Sequence, residues 1–173
     1  MDRVGSRTVY EGRIASVRID EFRYADGESA EREIVSHPGA VAVVAHDGER
    51  IYLVRQPREA VGEERLLELP AGKLDVEGES PLECARRELA EEVGVEAAEW
   101  RELKRIYTSP GFAEEVVHIF LATGLRDVGS SPDAEERLEV ELLPLTELDR
   151  AIEECMDSKS LVGLLLLRLL RGE

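Results

Sequence analysis

Two cysteines, three lysines and seven prolines are all that a 173-residue chain carries of those types. Cys84 and Cys155 have no metal-binding spacing and give no disulfide framework. Cys84 falls by the packing face of a helical stretch and reads as a small apolar filler rather than a reactive thiol. Long hydrophobic runs are missing too. The most apolar segment, Leu161 to Leu170, is ten residues long and broken by Arg168, too short to cross a bilayer. The N-terminal MDRVGSRTVYEG lacks the apolar run of a signal peptide. These absences predict a soluble, cytoplasmic protein. Basic charge is outweighed, 22 Lys and Arg against 38 Asp and Glu, for a net charge of −16. That balance argues against nucleic acid or an anionic membrane as the main partner. A small anionic substrate remains compatible, provided metal ions and local arginines neutralise its site.

What is present is the composition of one globular domain, 43% hydrophobic and 35% charged, long enough for a real core. Residues 7–36 read as strands joined by turns, with a turn signal at Asp26-Gly27. Val41 to Ala45 is a continuous apolar run, the pattern of a strand buried on both faces; His46-Asp47-Gly48 turns and Ile51 to Gln56 returns. After Arg55 the chain is polar and loop-like through Glu64. Trp100–Thr108 and Val116–Thr123 follow as strands, then a long acidic loop over 127–136. LEVELLPL is a strand in which Leu138, Val140 and Leu142 alternate with acids. A helix capped by Thr146 or Asp149 runs to about Cys155. A last one, from about Ser160 to Leu170, is leucine-rich nearly all round and is expected to be buried. The predicted class is α/β (α+β), a mixed sheet flanked by helices.

The chemistry concentrates between Glu68 and Val95, ELPAGKLDVEGESPLECARRELAEEVGV. Ser80 can cap a helix, Pro81 suits its first position, Glu83 completes a capping box and Gly94 can end it. Leu82, Ala85, Leu89 and Val93 form an apolar stripe. Glu88, Glu91 and Glu92, at i, i+3 and i+4, fall within a sector of roughly 100° on another face. Concentrated carboxylates need a cation, and hard oxygen ligands suit Mg²⁺ or Mn²⁺. A solvated acidic face is the plain alternative for any such helix.

This stretch resembles the Nudix hydrolase signature: Gly, five residues, Glu, seven residues, then Arg-Glu-aliphatic-any-Glu-Glu-any-Gly-aliphatic. Glu79 and the run Arg87 to Val95 match without a gap, but six residues, KLDVEG, separate Gly72 from Glu79. The resemblance implies a Nudix-type α/β/α sandwich with an N-terminal antiparallel β-region, divided as 1–37 and 38–173. It implies metal coordination by Glu88, Glu91, Glu92 and the Ala71 carbonyl, with Glu91 counted also in the catalytic set. Arg87 is expected to pair with Glu91 and hold it.

Four further pieces resemble the ADP-ribose pyrophosphatase subfamily: Arg32-Glu33-Ile34 before HPGAV, Arg55-Gln56-Pro57-Arg58, Glu68-Leu69-Pro70-Ala71-Gly72, and Ser109-Pro110-Gly111, whose proline lies 15 residues beyond Val95. Together the resemblance covers about residues 30–145. It implies that Arg32 and Arg58 contact the substrate's phosphates or terminal ribose. Glu68, Pro110, Gly111 and Glu115 join them in substrate binding. The base that activates water would lie in SPDAEERLEV, with Glu136 favoured, then Glu135, then Asp133; this loop is expected to close over substrate. His37, His46 and His118 are read as structural.

The implied reaction is Mg²⁺-dependent cleavage of ADP-ribose to AMP and ribose 5-phosphate, in a homodimer whose N-terminal strands reach across to the partner. One alternative is hydrolysis of another nucleoside diphosphate derivative: a nucleotide sugar, a dinucleoside polyphosphate or NADH. A non-enzymatic sensor of ADP-ribose or a related nucleotide is the other.

Overall fold

The computed structural model describes residues 1–129 and 137–172. Among them the chain forms ten strands and three α-helices, in two compact units: Met1–Gly39 with Tyr107–Val116, and Ala40–Ile106 with Val117–Glu173. No helix among the described residues is long and apolar enough to cross a membrane.

In the first unit β1 (Asp2–Glu11), β2 (Ser16–Arg23) and β3 (Ser29–Ser36) form an antiparallel sheet. The turn signal at Asp26-Gly27 is used: Gly27 has φ +89°, a conformation that suits glycine. The division at residue 37 left 107–116 with the rest of the chain, yet this segment packs on the N-terminal strands. Val35 exchanges backbone hydrogen bonds with Phe112 (2.8 Å) and Glu114 (3.1 Å). The Glu114 carboxylate takes the Arg18 fork at 2.6 and 2.9 Å. Arg18 also donates to Asp20 at 2.9 Å, which is 1% exposed and accepts from Ser6 at 2.5 Å. The Ser6 hydroxyl, then Arg18 and Arg3, hold the Asp20 carboxyl below its ordinary range although burial opposes them.

The second unit is a mixed seven-stranded sheet between helices. Its central path runs β10 (Glu139–Pro144), β5 (Arg50–Arg58), β4 (Ala40–His46), β9 (Val116–Asp127), β8 (Val95–Tyr107). β6 (Glu63–Glu68) pairs with β5, and β7 (Ala71–Lys73) with β4. β4 runs parallel to β9 and antiparallel to β5 and β7. The apolar run of β4 is buried on both faces, as its sequence implies. Ala40, Ala42 and Val44 join the layer beneath helix α3 (Ser158–Arg171), and Val41, Val43 and Ala45 the layer beneath α1 (Pro81–Glu88). Each fully buried Ile51, Leu53, Leu69 or Ile119 side chain contributes about 1.5–3 kcal/mol by leaving water.

Three sequence expectations change. Residues 56–64 are not one loop: β5 continues to Arg58 and β6 returns from Glu63, because pairing satisfies the backbone, while the residues of the turn between them stay exposed. The last helix starts at Ser158, capped by the Asp157 side chain on Ser160 N–H at 3.0 Å. It is buried on one side only. Gly163, Leu164 and Leu167 pack inward, a Cβ on Gly163 would overlap Leu69, and Leu169 and Leu170 are exposed. On β10, Val140 and Leu142 are exposed as well, since this strand lies at the sheet edge, while Leu143 and Leu145 enter the core. α2 (Leu148–Glu154) follows a short 3₁₀ turn over 145–147.

Candidate active site

The helix that carries the three glutamates changes pitch where they begin. Its start is as the sequence implies: Ser80 N–H donates to Glu83 (2.8 Å) and Glu83 N–H to Ser80 Oγ (3.3 Å), with Pro81 next. The α-helix ends at Glu88 and Leu89–Val93 form a π turn, closed by Gly94 at φ +76°. A π turn closes i→i+5 bonds, so Glu91 and Glu92 are rotated relative to Glu88 from where a regular helix would set them. The three side chains differ in exposure. Glu88 and Glu92 are 9% and 3% exposed, whereas the Glu91 side chain is half exposed.

The two buried carboxylates meet the backbone of β7. Ala71 N–H donates to Glu92 Oε2 at 3.0 Å. Gly72 makes room for Glu88, since a Cβ there would overlap that carboxylate. Arg87 gathers the remaining acids. Its Nε and Nη2 grip both oxygens of Glu79 at 2.9 and 3.0 Å, and Nη1 donates to Glu88 at 2.8 Å and Glu91 at 3.0 Å. The expected Arg87–Glu91 pair is present, within a larger clamp. Arg87 holds the Glu79 carboxyl below its ordinary range, and Glu79 in turn raises the guanidinium further above its own. The extra residue between Gly72 and Glu79 is absorbed by a turn, with Glu79 N–H on Val76 O at 3.2 Å and Gly78 at φ +82°. Glu79 still reaches Arg87. Beside it, burial pushes the Cys84 thiol up to about 12, in keeping with an inert filler.

Ala71, Glu88, Glu91 and Glu92 are thus brought together, and all four offer the hard oxygens that suit a divalent cation. Among the described residues no three His, Cys, Asp or Glu side chains stand, as placed, where together they could hold a metal ion. Glu79, Glu88 and Glu91 instead share the Arg87 guanidinium. The donor chemistry fits a Mg²⁺-like ion, and Gly72 leaves the Glu88 carboxylate its space.

Arg58 and Glu68, both expected at the substrate, bind each other. Arg58 donates Nε and Nη2 to Glu68 at 2.6 and 2.8 Å, and Lys159 Nζ adds a third bond at 2.6 Å. Burial would raise the Glu68 carboxyl, but Arg58 and Lys159 outweigh it and hold it below the ordinary range. Asp157 follows the same pattern, with burial opposed by Lys159 and Ser160. Lys159, Asp157 and Ser160 were not singled out from the sequence; Asp-x-x-Ser ahead of the leucine run was a capping signal that could have marked them.

The other expected substrate residues lie in the first unit. Arg32, on β3, donates to Glu31 O (2.8 Å) and Tyr24 OH (3.2 Å). Pro110 and Gly111 form an exposed turn between Ser109 O and Phe112 N–H (3.1 Å). Glu115 accepts from Thr108 at 2.7 Å and faces His37 at 3.3 Å. His46 and His118 have local partners, Gly48 N–H and the Glu102 carboxylate. Asp133, Glu135 and Glu136 lie outside the described residues.

These depressed carboxyls imply a direction for acid stability. A group whose folded pKa lies below its unfolded one stabilises fully above the unfolded value, about 4 for carboxyls, and loses that contribution as pH falls through the folded one. Glu68, Glu79 and Asp157 act in this sense, as does Asp47, brought down to about 2 where backbone and side-chain hydrogen bonds from residues 49 and 50 outweigh burial. Urea denaturation should show stability level above about pH 5 and falling steadily toward pH 2. Unchanged stability between pH 6 and 3 would contradict these ion pairs.

Comparison with known proteins agrees with the family that the signature resembles. The NUDIX domain pattern matches residues 35–162. The ADP-ribose pyrophosphatase of Mycobacterium tuberculosis (strain ATCC 25618 / H37Rv) is 41% identical over 169 residues, covering 95% of this chain and 81% of that protein. The methanol dehydrogenase activator of Bacillus methanolicus is 37% identical over 172 residues, covering 96% and 91%. A crystal structure of an ADP compounds hydrolase matches the fold with TM-score 0.84 at 24% identity, over 99% of this chain and 94% of the other. A domain match over most of the chain, on a helix whose glutamates fold against Ala71–Gly72, means that the protein belongs to the Nudix hydrolase family.

Proposed function

We propose that this Nudix pyrophosphohydrolase cleaves the diphosphate of ADP-ribose, giving AMP and ribose 5-phosphate, with Mg²⁺ as its ordinary metal. The observation that carries diphosphate hydrolysis is the clamp of Arg87 on Glu79, Glu88 and Glu91 beside the Ala71–Glu92 contact. The choice of ADP-ribose is supported by the 41% identical pyrophosphatase.

A divalent ion held by Glu88, Glu91, Glu92 and the Ala71 carbonyl would neutralise diphosphate charge and acidify the attacking water. The chain's own part is to keep those oxygens in place. Arg87 restrains Glu88 and Glu91, and Ala71 N–H restrains Glu92, so little reorganisation accompanies charge development. Arg58 offers a fork to phosphate oxygens. Glu136 takes the proton of the attacking water, with Glu135 and Asp133 as the alternatives. Arg32, Pro110, Gly111 and Glu115 complete substrate binding. A cytoplasmic homodimer is part of the same reading, with the N-terminal β-region of 1–37 joined by 107–116 and the rest of 38–173 as the Nudix domain.

The test is a substrate panel: ADP-ribose, GDP-mannose and other nucleotide sugars, dinucleoside polyphosphates and NADH, each with Mg²⁺ and Mn²⁺ and with products separated by chromatography. ADP-ribose should rank among the best by kcat/KM. A low rank would overturn the substrate, and calorimetric binding with Mg²⁺ but no AMP release would make the protein a sensor.

A further inference from the structure

Glu68 is 1% exposed and yet serves two cations. Arg58 grips both of its oxygens, and Lys159 Nζ reaches the same Oε2 at 2.6 Å. Lys159 is itself only 14% exposed and also pairs with Asp157 at 2.9 Å. Two acids and two bases make a neutral set. Asp157 is fixed in turn by Ser160, whose Oγ donates to it at 2.5 Å and accepts Leu69 N–H at 2.7 Å. The N-terminal cap of α3 therefore braces Glu68 and Leu69, three and two residues before Ala71.

Arg58 differs from its partners in being half open, at 43% exposed. One edge of the guanidinium is fixed on Glu68, which stands three residues before Ala71. Lys159 is placed otherwise: its ammonium is spent on two carboxylates and largely covered, so it is poorly placed to meet substrate.

We propose that Lys159 is a positioning residue for Arg58, a role that rests on the diphosphate-hydrolase reading above. By sharing the charge of Glu68 it keeps Arg58 from being that carboxylate's sole counter-ion. Without it, Glu68 and Asp157 present two negative charges to one arginine. The fork is then drawn toward Glu68, and substrate phosphate must compete for it. Loss of Lys159 thus weakens substrate binding more than turnover, and does so through Arg58.

Wild type, Lys159→Met, Lys159→Gln, Lys159→Arg, Arg58→Ala and the Arg58→Ala/Lys159→Met double variant are compared with ADP-ribose at saturating Mg²⁺. Lys159→Met and Lys159→Gln should raise KM by on the order of tenfold, the scale of a weakened charge-assisted hydrogen bond. Their kcat should stay within about twofold. Lys159→Arg should restore most of the KM. Arg58→Ala should raise KM too, and adding Lys159→Met to it should change KM little further, because one interaction is lost twice. An unchanged KM accompanied only by a lower Tm, or independent effects in the double variant, overturns the proposal.

A second readout needs no turnover. The Arg58 Nε–H resonance, identified by its loss in Arg58→Ala, should move in Lys159→Met or, if that variant does not fold, in Lys159→Gln. If it stays where it is in wild type, the positioning role fails. Absence of ADP-ribose cleavage by wild type would overturn the substrate reading and leave this signal to decide about Lys159.

Discussion

Replacing Glu92 by glutamine should lower kcat by roughly 100-fold or more, since even residues that only orient metal ligands cost 10–100-fold. The amide keeps the size of the side chain, and its oxygen can still accept from Ala71 N–H, so the π turn can close as before. What disappears is a negative charge at a site 3% exposed, where it acts in a low dielectric. The fold should therefore survive, with circular dichroism unchanged and Tm close to that of wild type. Near-normal turnover in a folded Glu92→Gln protein would sink the metal assignment. A protein that loses turnover only by unfolding would show Glu92 to be structural.

The second large effect is expected from Arg87→Lys, although the charge is kept. Arg87 uses three nitrogens on three carboxylates: two bonds to Glu79, one to Glu88 and one to Glu91. A lysine ammonium is a single point and cannot span that fan. Glu79 should lose its two-point grip, and Glu88 and Glu91 their common restraint. The expected result is a 10–100-fold fall in kcat/KM, roughly the cost of removing support from metal ligands. Stability should fall by about 1–3 kcal/mol, the scale of charge-assisted hydrogen bonds lost from a partly covered site. Equal activity and an equal urea midpoint would show that a positive charge is sufficient there and the fork is not.

Much of this was legible along the chain because it depends on local spacing. The capping box at Ser80 and Glu83, the glycine stop at Gly94 and the run of β4 each specify structure within a few residues. The Arg87–Glu91 pair is likewise an i,i+4 relation. Periodicity says less where the helix is not regular. The sector of roughly 100° for Glu88, Glu91 and Glu92 assumed 3.6 residues per turn, whereas Glu88 ends the α-helix and Glu91 and Glu92 lie in the π turn at Leu89–Val93; Glu88 and Glu92 are buried and Glu91 is half exposed. Alternation in LEVELLPL gave the strand but not its exposure. Val140 and Leu142 stay in solvent because β10 is an edge, and strand order is a long-range property.

The sequence by itself determined the family, the helix that carries the carboxylates and the residue types of the proposed metal site, because motif spacing and capping are local chemistry. Only the tertiary structure decided what those residues touch. It put Gly72 against Glu88, separated from it by 16 positions, and Glu68 against Lys159, separated by 91. It also turned Arg58 and Glu68 from two independent substrate contacts into one ion pair braced by a distant helix. Contacts of that kind follow from which strands and helices pack together, and a buried carboxylate then takes whichever cations the packing brings within reach.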